Sequence, residues 1–292
     1  MISGMPKNTF QTIALIGRAG KNIADTLDAV HDYLIQKKRA VLVEEISAHM
    51  MSKKSLNTFS DEKIPNEIDL MIVVGGDGSL LNAARLALPK DIPVLGINRG
   101  QLGFLTDIHP DHLEKIADVL NGKLLLEKRF LLQATLSRKI LGMALNDVVL
   151  LPGDTAQLIE FDTLINGNLV CEQRADGMII ATPTGSTAYA LSAGGPILHP
   201  QLNAIALVPM FPHTLSSRPI VVEGDARIEL IIRESNETSP CISCDGQTKI
   251  SVKPGDRIQI QKTKKSLRLI HPNDYDYYAT LREKLGWQMR AR

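Results

Sequence analysis

A glycine-rich segment with one carboxylate, Gly75-Gly76-Asp77-Gly78-Ser79, has the residue types best suited to chemistry in this sequence. It follows the apolar run at 69–74, which predicts a buried strand, and it leads into 79–87, where the apolar spacing is helical. Glycines let the backbone approach a ligand closely, and a helix start presents N–H groups to an anion such as phosphate. Asp77 would then accept a proton or hold a cation. The alternative is a simple Asp-Gly turn in which Asp77 caps the helix.

Two further polar clusters occur among apolar residues in the second half of the chain. Asn146-Asp147 interrupts a predicted strand at 143–151, where unpartnered polar groups would each cost ~1–3 kcal/mol if buried. The loop at 181–196 is rich in hydroxyls and small residues, and its Tyr189 could stack on a flat ring. Arg174-Ala175-Asp176-Gly177 also precedes an apolar strand. These clusters predict a ligand site, with a strand end and a polar loop as the alternatives.

The elements that must position these residues change character near residue 140. The first half alternates strands and helices, which predicts a parallel sheet covered on both faces, with ligands at the carboxyl ends of its strands. Its predicted strands are 12–17, 40–43, 69–74 and 93–97, and its predicted helices are 22–37, 79–87 and 112–120. Glycine turns at 75–78 and 100–103 fall at such strand ends.

The second half predicts an antiparallel sandwich, because short β-branched segments recur with turn signals such as Asn166-Gly167 between them. Its predicted strands are 130–137, 143–151, 158–165, 177–181, 220–222, 226–232 and 257–261. Helical spacing resumes at 278–285. We therefore expect an α/β domain over 1–138, a β-sandwich over 139–270, and a segment at 271–292 that returns to the α/β domain or to a neighbour.

Composition excludes several classes of protein. The net charge of +1 lacks the basic surplus that nucleic-acid binding requires, and no apolar stretch has the length of a membrane span. Three cysteines and the absence of a signal peptide favour the cytoplasm. Cys241 and Cys244 have no second ligand pair and are expected to be ordinary thiols. Neither a P-loop, nor a G-x-G-x-x-G motif, nor the protein-kinase landmarks occur.

The Gly75–Ser79 turn, the Asn146-Asp147 pair and the polar loop at 182–189 occur in this order along the chain. With them, the chain resembles the bacterial NAD kinase family over nearly its whole length. The resemblance extends to the segments at 96–107, 211–216 and 271–272. It implies a Rossmann-like N-terminal domain, a β-sandwich C-terminal domain and a homodimer or homotetramer. It also implies transfer of the terminal phosphoryl group of ATP to the 2′-hydroxyl of the adenosine ribose of NAD, which gives NADP, with a divalent cation such as Mg²⁺.

The resemblance also implies roles for individual residues. Asp77 would be the proton acceptor, Gly75, Gly76, Gly78 and Ser79 would form the phosphate turn, and Gly78 would also lie against the dinucleotide. Asn146 and Asp147 match an Asn-Glu pair that holds the ribose and adenine, with Asp here in place of Glu. The remaining NAD contacts implied are Arg174, Asp176, Thr187, Ala188, Tyr189, Ser192 and Gln247. No protein ligand to the metal is implied.

Other functions remain open on the sequence. Lipid kinases and phosphofructokinases also carry Gly-Gly-Asp-Gly, although Asn146-Asp147 and the loop at 182–189 argue against them. A dinucleotide sensor without turnover would be expected to lack Asp77, which is present. A dehydrogenase could use Glu44 or Glu45 for a ribose, but its glycine fingerprint is absent.

Overall fold

The structure is a computed structural model, and it describes residues 2–3, 10–18, 23–99, 103–153 and 157–287. The chain forms two compact units: unit 1 comprises residues 1–128 and 267–292, and unit 2 comprises residues 129–266. The domain boundaries predicted from the sequence were 138 and 270, with 271–292 as a separate segment. In the structure the C-terminal segment belongs to unit 1 from Leu267 onward.

Unit 1 alternates strands and helices along the chain. Its elements up to residue 120 are β1 (Ile2–Ser3), β2 (Thr12–Gly17), α1 (Ile23–Gln36), β3 (Ala40–Glu44), α2 (Glu45–Met50), β4 (Thr58–Phe59), β5 (Leu70–Gly75), α3 (Asp77–Ala87), β6 (Val94–Asn98) and α4 (Glu114–Leu120). Strand β7 (Leu124–Leu136) begins in unit 1 and continues in unit 2.

Strands β2 to β6 of unit 1 pair in parallel in the order β6-β5-β2-β3-β4, whereas β1 pairs antiparallel with β7. All six residues of β5 are buried, which explains why this strand is apolar without alternation. Helix α1 buries Leu27, Val30 and Leu34 at helical spacing against the sheet. This parallel arrangement brings the ends of β5 and β6 to one edge, where the glycine turn lies.

Unit 2 consists almost entirely of strands. Its elements are β8 (Lys139–Ala144), β9 (Asp147–Leu151), β10 (Ile159–Ile165), β11 (Asn168–Ala175), β12 (Gly177–Ala181), α5 (Tyr189–Ser192), β13 (Ala204–Met210), β14 (Ile220–Glu223), β15 (Ile228–Ile232), β16 (Cys241–Cys244) and β17 (Thr248–Ser251). Strand β18 (Arg257–Pro272) begins in unit 2 and ends in unit 1, and helix α6 (Tyr277–Leu285) completes the described chain.

Two antiparallel sheets pack in unit 2. One has the order β11-β10-β15-β18 and the other β14-β13-β12-β9-β16-β17. Phe161 and Leu230 from the first sheet share one apolar core with Val148 and Ile180 from the second. The neighbouring residues Val149 and Ile179 point to the opposite face, where they pack with Ala190 and Leu198 of the loop after β12. Both faces of these central strands are therefore buried.

The structure confirms the predicted fold class, an α/β unit with a β-sandwich and a C-terminal helix, and corrects several elements. The strand predicted at 143–151 is two strands, because the backbone bends at Leu145 and Asn146. Strands β13 and β17 were not predicted. The helix predicted at 112–120 begins at Glu114 and follows a short 3₁₀ turn at Pro110–His112. Asn22 and residues 100–102 of the second predicted glycine turn lie outside the described residues.

Candidate active site

The glycine turn joins the end of β5 directly to the start of α3. Gly75 ends the strand, Gly76 is the N-cap with φ −96° and ψ −174°, and Asp77 is the first helical residue. Gly76 accepts backbone hydrogen bonds from the N–H groups of Ser79 and Leu80, at 2.9 and 3.2 Å. The first turn of α3 therefore begins at the carboxyl edge of the parallel sheet, as an anion site requires.

Asp77 does not cap its own helix, so the alternative prediction for this residue is wrong. Its carboxylate instead accepts hydrogen bonds from the backbone N–H groups of Phe104 and Leu105, each at 3.0 Å. The side chain fits only because residue 103 is glycine: a Cβ there would overlap Asp77 Oδ1 and Thr106 Oγ1. The carboxylate is half-buried and fixed by a loop 26 or more residues further along the chain.

Two glycines of the turn are not required by the packing of the chain itself. Gly76 and Gly78 are exposed, neither has a positive φ, and a Cβ on either would meet no atom within 4 Å. At Gly75, by contrast, a Cβ would overlap the side chain of Ser79. Glycine at 76 and 78 thus keeps open the space beside Asp77, which is the expected arrangement where a ligand approaches the backbone.

In unit 2, Asn146 lies at a bend that one carboxylate organises. Asp245 accepts hydrogen bonds from the backbone N–H groups of Leu145 at 2.9 Å, Asn146 at 2.8 Å and Asp147 at 3.3 Å. Asp245 has φ +53° and stands in the turn between β16 and β17. Its contacts hold the backbone between β8 and β9 and so determine where the Asn146 side chain starts.

Asp147 is a buried carboxyl group, with 5% of its surface exposed. Burial, and secondarily the charge of the nearby Asp245, raise the pKa of Asp147 to about 7. A carboxyl group in that range can donate a hydrogen bond when protonated and accept one when ionised. The strongly perturbed group beside a concave surface is a mark of a functional site.

The loop after β12 packs against the same bend. Thr182 donates its hydroxyl hydrogen bond to the carbonyl of Leu145 at 2.5 Å, and its backbone N–H donates to the carbonyl of Asn146 at 2.8 Å. A Cβ at Gly185 would overlap that same carbonyl of Asn146. Ser186 is also fully buried and bonds to the backbone of Leu198. The hydroxyls of Thr182 and Ser186 therefore stabilise the loop.

Three pockets in unit 2 contain predicted site residues. The Asn146 pocket, about 270 Å³, is lined by Asn146, Asp147, Val149, Leu151, Ala188, Tyr189, Ser243, Asp245 and Gly246. The Ser192 pocket, about 480 Å³, includes Tyr189, Ser192, Met210 and Phe211. The Arg174 pocket, about 250 Å³, includes Arg174, Gln173, Ser217 and Arg218. The Tyr189 ring, 44% exposed, borders the first two pockets.

Four of the predicted residues of unit 2, Asn146, Asp147, Ala188 and Tyr189, line one pocket, and the other predicted residues of that unit do not line it. Arg174 is exposed, with its Nε 3.8 Å from Glu160 Oε1. Asp176, Thr187 and Gln247 line none of these three pockets within the described chain. Asp176 donates its backbone N–H to the carbonyl of Met210 at 2.9 Å. Gln247 is exposed in the same turn as Asp245.

Sequence reasoning missed the residues that act through their backbone or from far along the chain. Phe104 and Leu105 hold Asp77 by N–H groups, which every residue except proline possesses, so their side chains give no signal. Asp245 was noted only as the neighbour of Gln247. Its available signal was an Asp-Gly pair directly after a strand, a pattern that permits the positive φ observed at Asp245 and Gly246.

No group of three or more His, Cys, Asp or Glu side chains in the described part of the chain is placed to hold a metal ion. No helix in the same part is both long and apolar enough to cross a membrane.

An α/β unit whose glycine turn presents a fixed carboxylate, together with a β-sandwich unit whose pocket has polar and aromatic walls, defines a kinase of the Gly-Gly-Asp-Gly class. The chain belongs to the ATP-NAD kinase family. Residues 13–124 match the family model for the ATP-NAD kinase N-terminal domain, and residues 145–272 match the model for the C-terminal domain.

Similar proteins span both units. The NAD kinase of Coxiella burnetii is 55% identical over 296 residues, covering 100% of this chain and 99% of that protein. The NAD kinase of Pseudomonas entomophila is 51% identical over 287 residues, covering 96% and 97%. The crystal structure of yeast NADH kinase complexed with NADH superposes with a TM-score of 0.85 at 26% identity, covering 97% of this chain and 89% of that one. An Archaeoglobus fulgidus NAD kinase, at 24% identity and a TM-score of 0.73, shares the fold.

Proposed function

We propose that this chain transfers the terminal phosphoryl group of ATP to the 2′-hydroxyl of the adenosine ribose of NAD. A bond forms between the ribose oxygen and the γ-phosphorus, the bond from that phosphorus to the β–γ bridging oxygen breaks, and ADP and NADP are the products. The activity is that of the family to which the chain belongs. The relatives give no support to a lipid or sugar-phosphate kinase, or to a sensor without turnover.

The single structural observation that carries the catalytic assignment is the fixed carboxylate of Asp77 beside open glycine positions. Two backbone N–H groups orient the carboxylate, while Gly76 and Gly78 leave room for a substrate next to it. In a loose phosphoryl transfer the attacking hydroxyl loses its proton late, so the main role of the general base is to orient that hydroxyl. Asp77 is proposed to accept a hydrogen bond from the 2′-hydroxyl and to take up its proton late in the transfer. The carboxyl group then releases that proton to water.

For the NAD side, the proposed contacts are those of the Asn146 pocket. Asn146 and Asp147 offer hydrogen-bonding groups for the ribose and adenine, and the exposed ring of Tyr189 offers a stacking surface beside Ala188. Ser192 lies in the adjoining pocket that Tyr189 also borders. Thr187, Arg174, Asp176 and Gln247 remain proposed contacts from the family resemblance. Ser79, with Gly75, Gly76 and Gly78, is proposed to face the phosphates of ATP.

A divalent cation fits this site as a companion of ATP. Mg²⁺ keeps several waters and is typically bound through substrate phosphates with one or two carboxylates, so a cluster of protein ligands is not needed. The carboxylate of Asp77, at the glycine turn, is the acidic side chain available there. When bound, Mg²⁺ would neutralise charge on the phosphate oxygens.

Self-association is proposed from the apolar side chains that unit 2 exposes. Strands β11 and β14 are edge strands of their sheets. Leu169 and Val170 on β11 are 57% and 45% exposed, and Val221 on β14 is 47% exposed. Edge strands with such residues favour pairing with another chain. A homodimer or homotetramer should therefore sediment in place of a 32.0 kDa monomer. A cytoplasmic location is also proposed, because an odd number of cysteines, three in this sequence, suits a reducing compartment.

The decisive experiment is NADP formation from NAD and ATP with Mg²⁺, comparing the native chain with Asp77→Asn. The amide keeps the size of the side chain but cannot accept the proton. Because a general base typically contributes 10²–10⁴-fold, we expect turnover to fall by about that range while NAD still binds, as measured by calorimetry. Undiminished turnover in the variant would refute the role of Asp77, and no NADP from the native chain would refute the proposed reaction.

A further inference from the structure

The position of Asp77 depends on a loop, Gly103–Ile108, that must itself be held in place. Its Phe104 and Leu105 supply the two N–H groups that orient the carboxylate. Within residues 103–107 the loop has a backbone hydrogen bond of its own, a long one of 3.4 Å from the N–H of Gly103 to the carbonyl of Thr106. Whatever fixes the loop therefore also fixes the direction in which Asp77 points.

One side of the loop is fixed by the end of β6. The N–H groups of Asp107 and Ile108 donate to the carbonyl of Gly96 at 3.3 and 3.4 Å, and the N–H of Asn98 donates to the carbonyl of Ile108 at 2.7 Å. The side-chain amide of Asn98 donates to Thr106 Oγ1 at 3.1 Å. These bonds hold the backbone of the loop at its C-terminal end, close to Asp107.

The other side is fixed by a buried histidine. His271 is fully buried, and its Nδ1 is hydrogen-bonded to Oδ2 of Asp107. Its Nε2 lies 3.4 Å from Oε2 of Glu127, which is also buried. The ring of Tyr275 stacks on the imidazole, with centroids 3.9 Å apart and an angle of 11°. The preceding residue, Ile270, is in register with Leu95 of β6, so the sheet sets where the imidazole begins.

Such a cluster is expensive to bury, which indicates a role beyond stability. Replacing buried polar partners by apolar residues of similar size is often neutral or stabilising. A buried hydrogen-bonded cluster can, however, hold its members in one geometry, and here one member belongs to the loop that orients Asp77. We infer that His271 is a positioning residue for phosphoryl transfer, acting through Asp107 and the Gly103–Ile108 loop on Asp77. The catalytic part of this inference rests on the proposed function.

The first test measures the loop itself, in the full chain without substrates. Amide hydrogen exchange at Phe104 and Leu105 should become at least about tenfold faster in His271→Gln, because the loop loses its side-chain anchor. Asp107→Asn should act in the same way. It replaces only one atom of the side chain, so it provides the test if His271→Gln fails to fold. The matched control is Lys115→Gln. It removes the 2.7 Å ion pair between Lys115 on α4 and Asp274, which lies in the same C-terminal segment as His271. Native protection in both anchor variants would overturn the inference.

The second test is a double-mutant cycle on the rate. In the native background, His271→Gln should lower kcat by about tenfold or more and change the KM for NAD by less than about threefold, because a misplaced catalytic group costs rate more than binding. In the Asp77→Asn background the same change should leave the residual rate unaltered, since its target is gone. If the double variant instead loses the product of the two separate factors in rate, His271→Gln has a general structural effect, and the inference is overturned. If Asp77→Asn alone retains full activity, the proposed function fails, whereas the exchange experiment still decides whether His271 positions the loop.

Discussion

Each of the two units contains a carboxyl group that is a candidate functional residue, and the two carboxyl groups have opposite environments. Asp77 in unit 1 is half-buried, and both of its oxygens accept backbone N–H bonds from a neighbouring loop. Asp147 in unit 2 is buried beside Asp245, so its pKa is raised to about 7. It is Asp245, not Asp147, that accepts the backbone N–H bonds of the bend.

This difference shows how environment separates the roles of chemically identical side chains. A carboxylate that accepts N–H bonds is held in one direction and suits orientation of a substrate hydroxyl. A buried carboxyl group next to a like charge exchanges its proton near neutral pH and suits a substrate that offers both donors and acceptors. The adenosine ribose and adenine of NAD are such groups.

The largest expected effect concerns the pH dependence of stability in unit 2. The folded chain keeps the proton on Asp147 up to about pH 7, whereas in the unfolded chain the carboxyl group has its ordinary pKa of 3.8 and releases the proton near that pH. Between these values the folded state binds more protons, so this group's contribution to stability falls as pH rises, by at most ~4 kcal/mol. Asp147→Asn removes the titration, and its stability relative to the native chain should therefore increase from pH 4 to pH 7.

Urea unfolding at several pH values measures this difference. Ser243→Ala is the matched control, because Ser243 lines the same pocket and carries no ionisable group. Its stability should stay parallel to that of the native chain across the pH range. Parallel curves for Asp147→Asn as well would contradict the raised pKa of Asp147.

In unit 1 the position of the Asp77 carboxylate should be sensitive to one added methyl group at residue 103. In Gly103→Ala the added methyl would overlap Asp77 Oδ1 and displace the carboxylate from the N–H groups of Phe104 and Leu105. Because a displacement on the order of 1 Å can cost about 10²-fold in rate, we expect kcat to fall by roughly that factor. Steady-state kinetics on protein shown to be folded by circular dichroism checks the result. A native kcat would mean that the held position of Asp77 is not the productive one.

The smallest effect has opposite signs for stability and activity. Gly78 lies in the first turn of α3, is exposed, and has open space where a Cβ would stand. Gly78→Ala should raise the free energy of unfolding by up to ~1 kcal/mol, because alanine favours the helix. The same methyl would occupy the space proposed for the dinucleotide, so kcat/KM for NAD should fall. Thermal unfolding and initial rates measure the two quantities, and a variant that is both more stable and fully active would show that no ligand lies against Gly78.

The sequence predicts well those features that depend on neighbouring residues. The apolar run of β5, the glycine turn and α3 follow one another along the chain, and their spacing predicts the element types and nearly their bounds. The strand β12 at Gly177–Ala181 and the hairpin at Asn166-Gly167 are likewise local and are confirmed.

The partners of the two carboxyl groups could not be predicted, because they come from distant segments. Asp77 bonds to a loop 27 residues away, and Asp245 bonds to a bend about 100 residues away. A predicted strand also ran through Asn146, since apolar residues on both sides mask a bend that is held by a tertiary contact. The identities of Phe104 and Leu105 carry no information about their N–H bonds. Residue propensity and apolar spacing describe one segment of the chain at a time. The contacts of Asp77 and Asp245 each join two distant segments, so neither property predicts them.

Unit 1 is discontinuous in sequence, and this has a consequence for the newly made chain. Strand β6 gains its outer parallel neighbour only when Leu269 and Ile270 align with Val94 and Leu95. Until then an apolar strand, whose five residues are all buried in the finished protein, offers unpaired backbone groups on one side. A premature stop codon before residue 267 would leave that edge exposed permanently, and an exposed apolar edge promotes aggregation. Synthesis of the strand at 267–272 is therefore the step that covers this edge and protects unit 1 from aggregation.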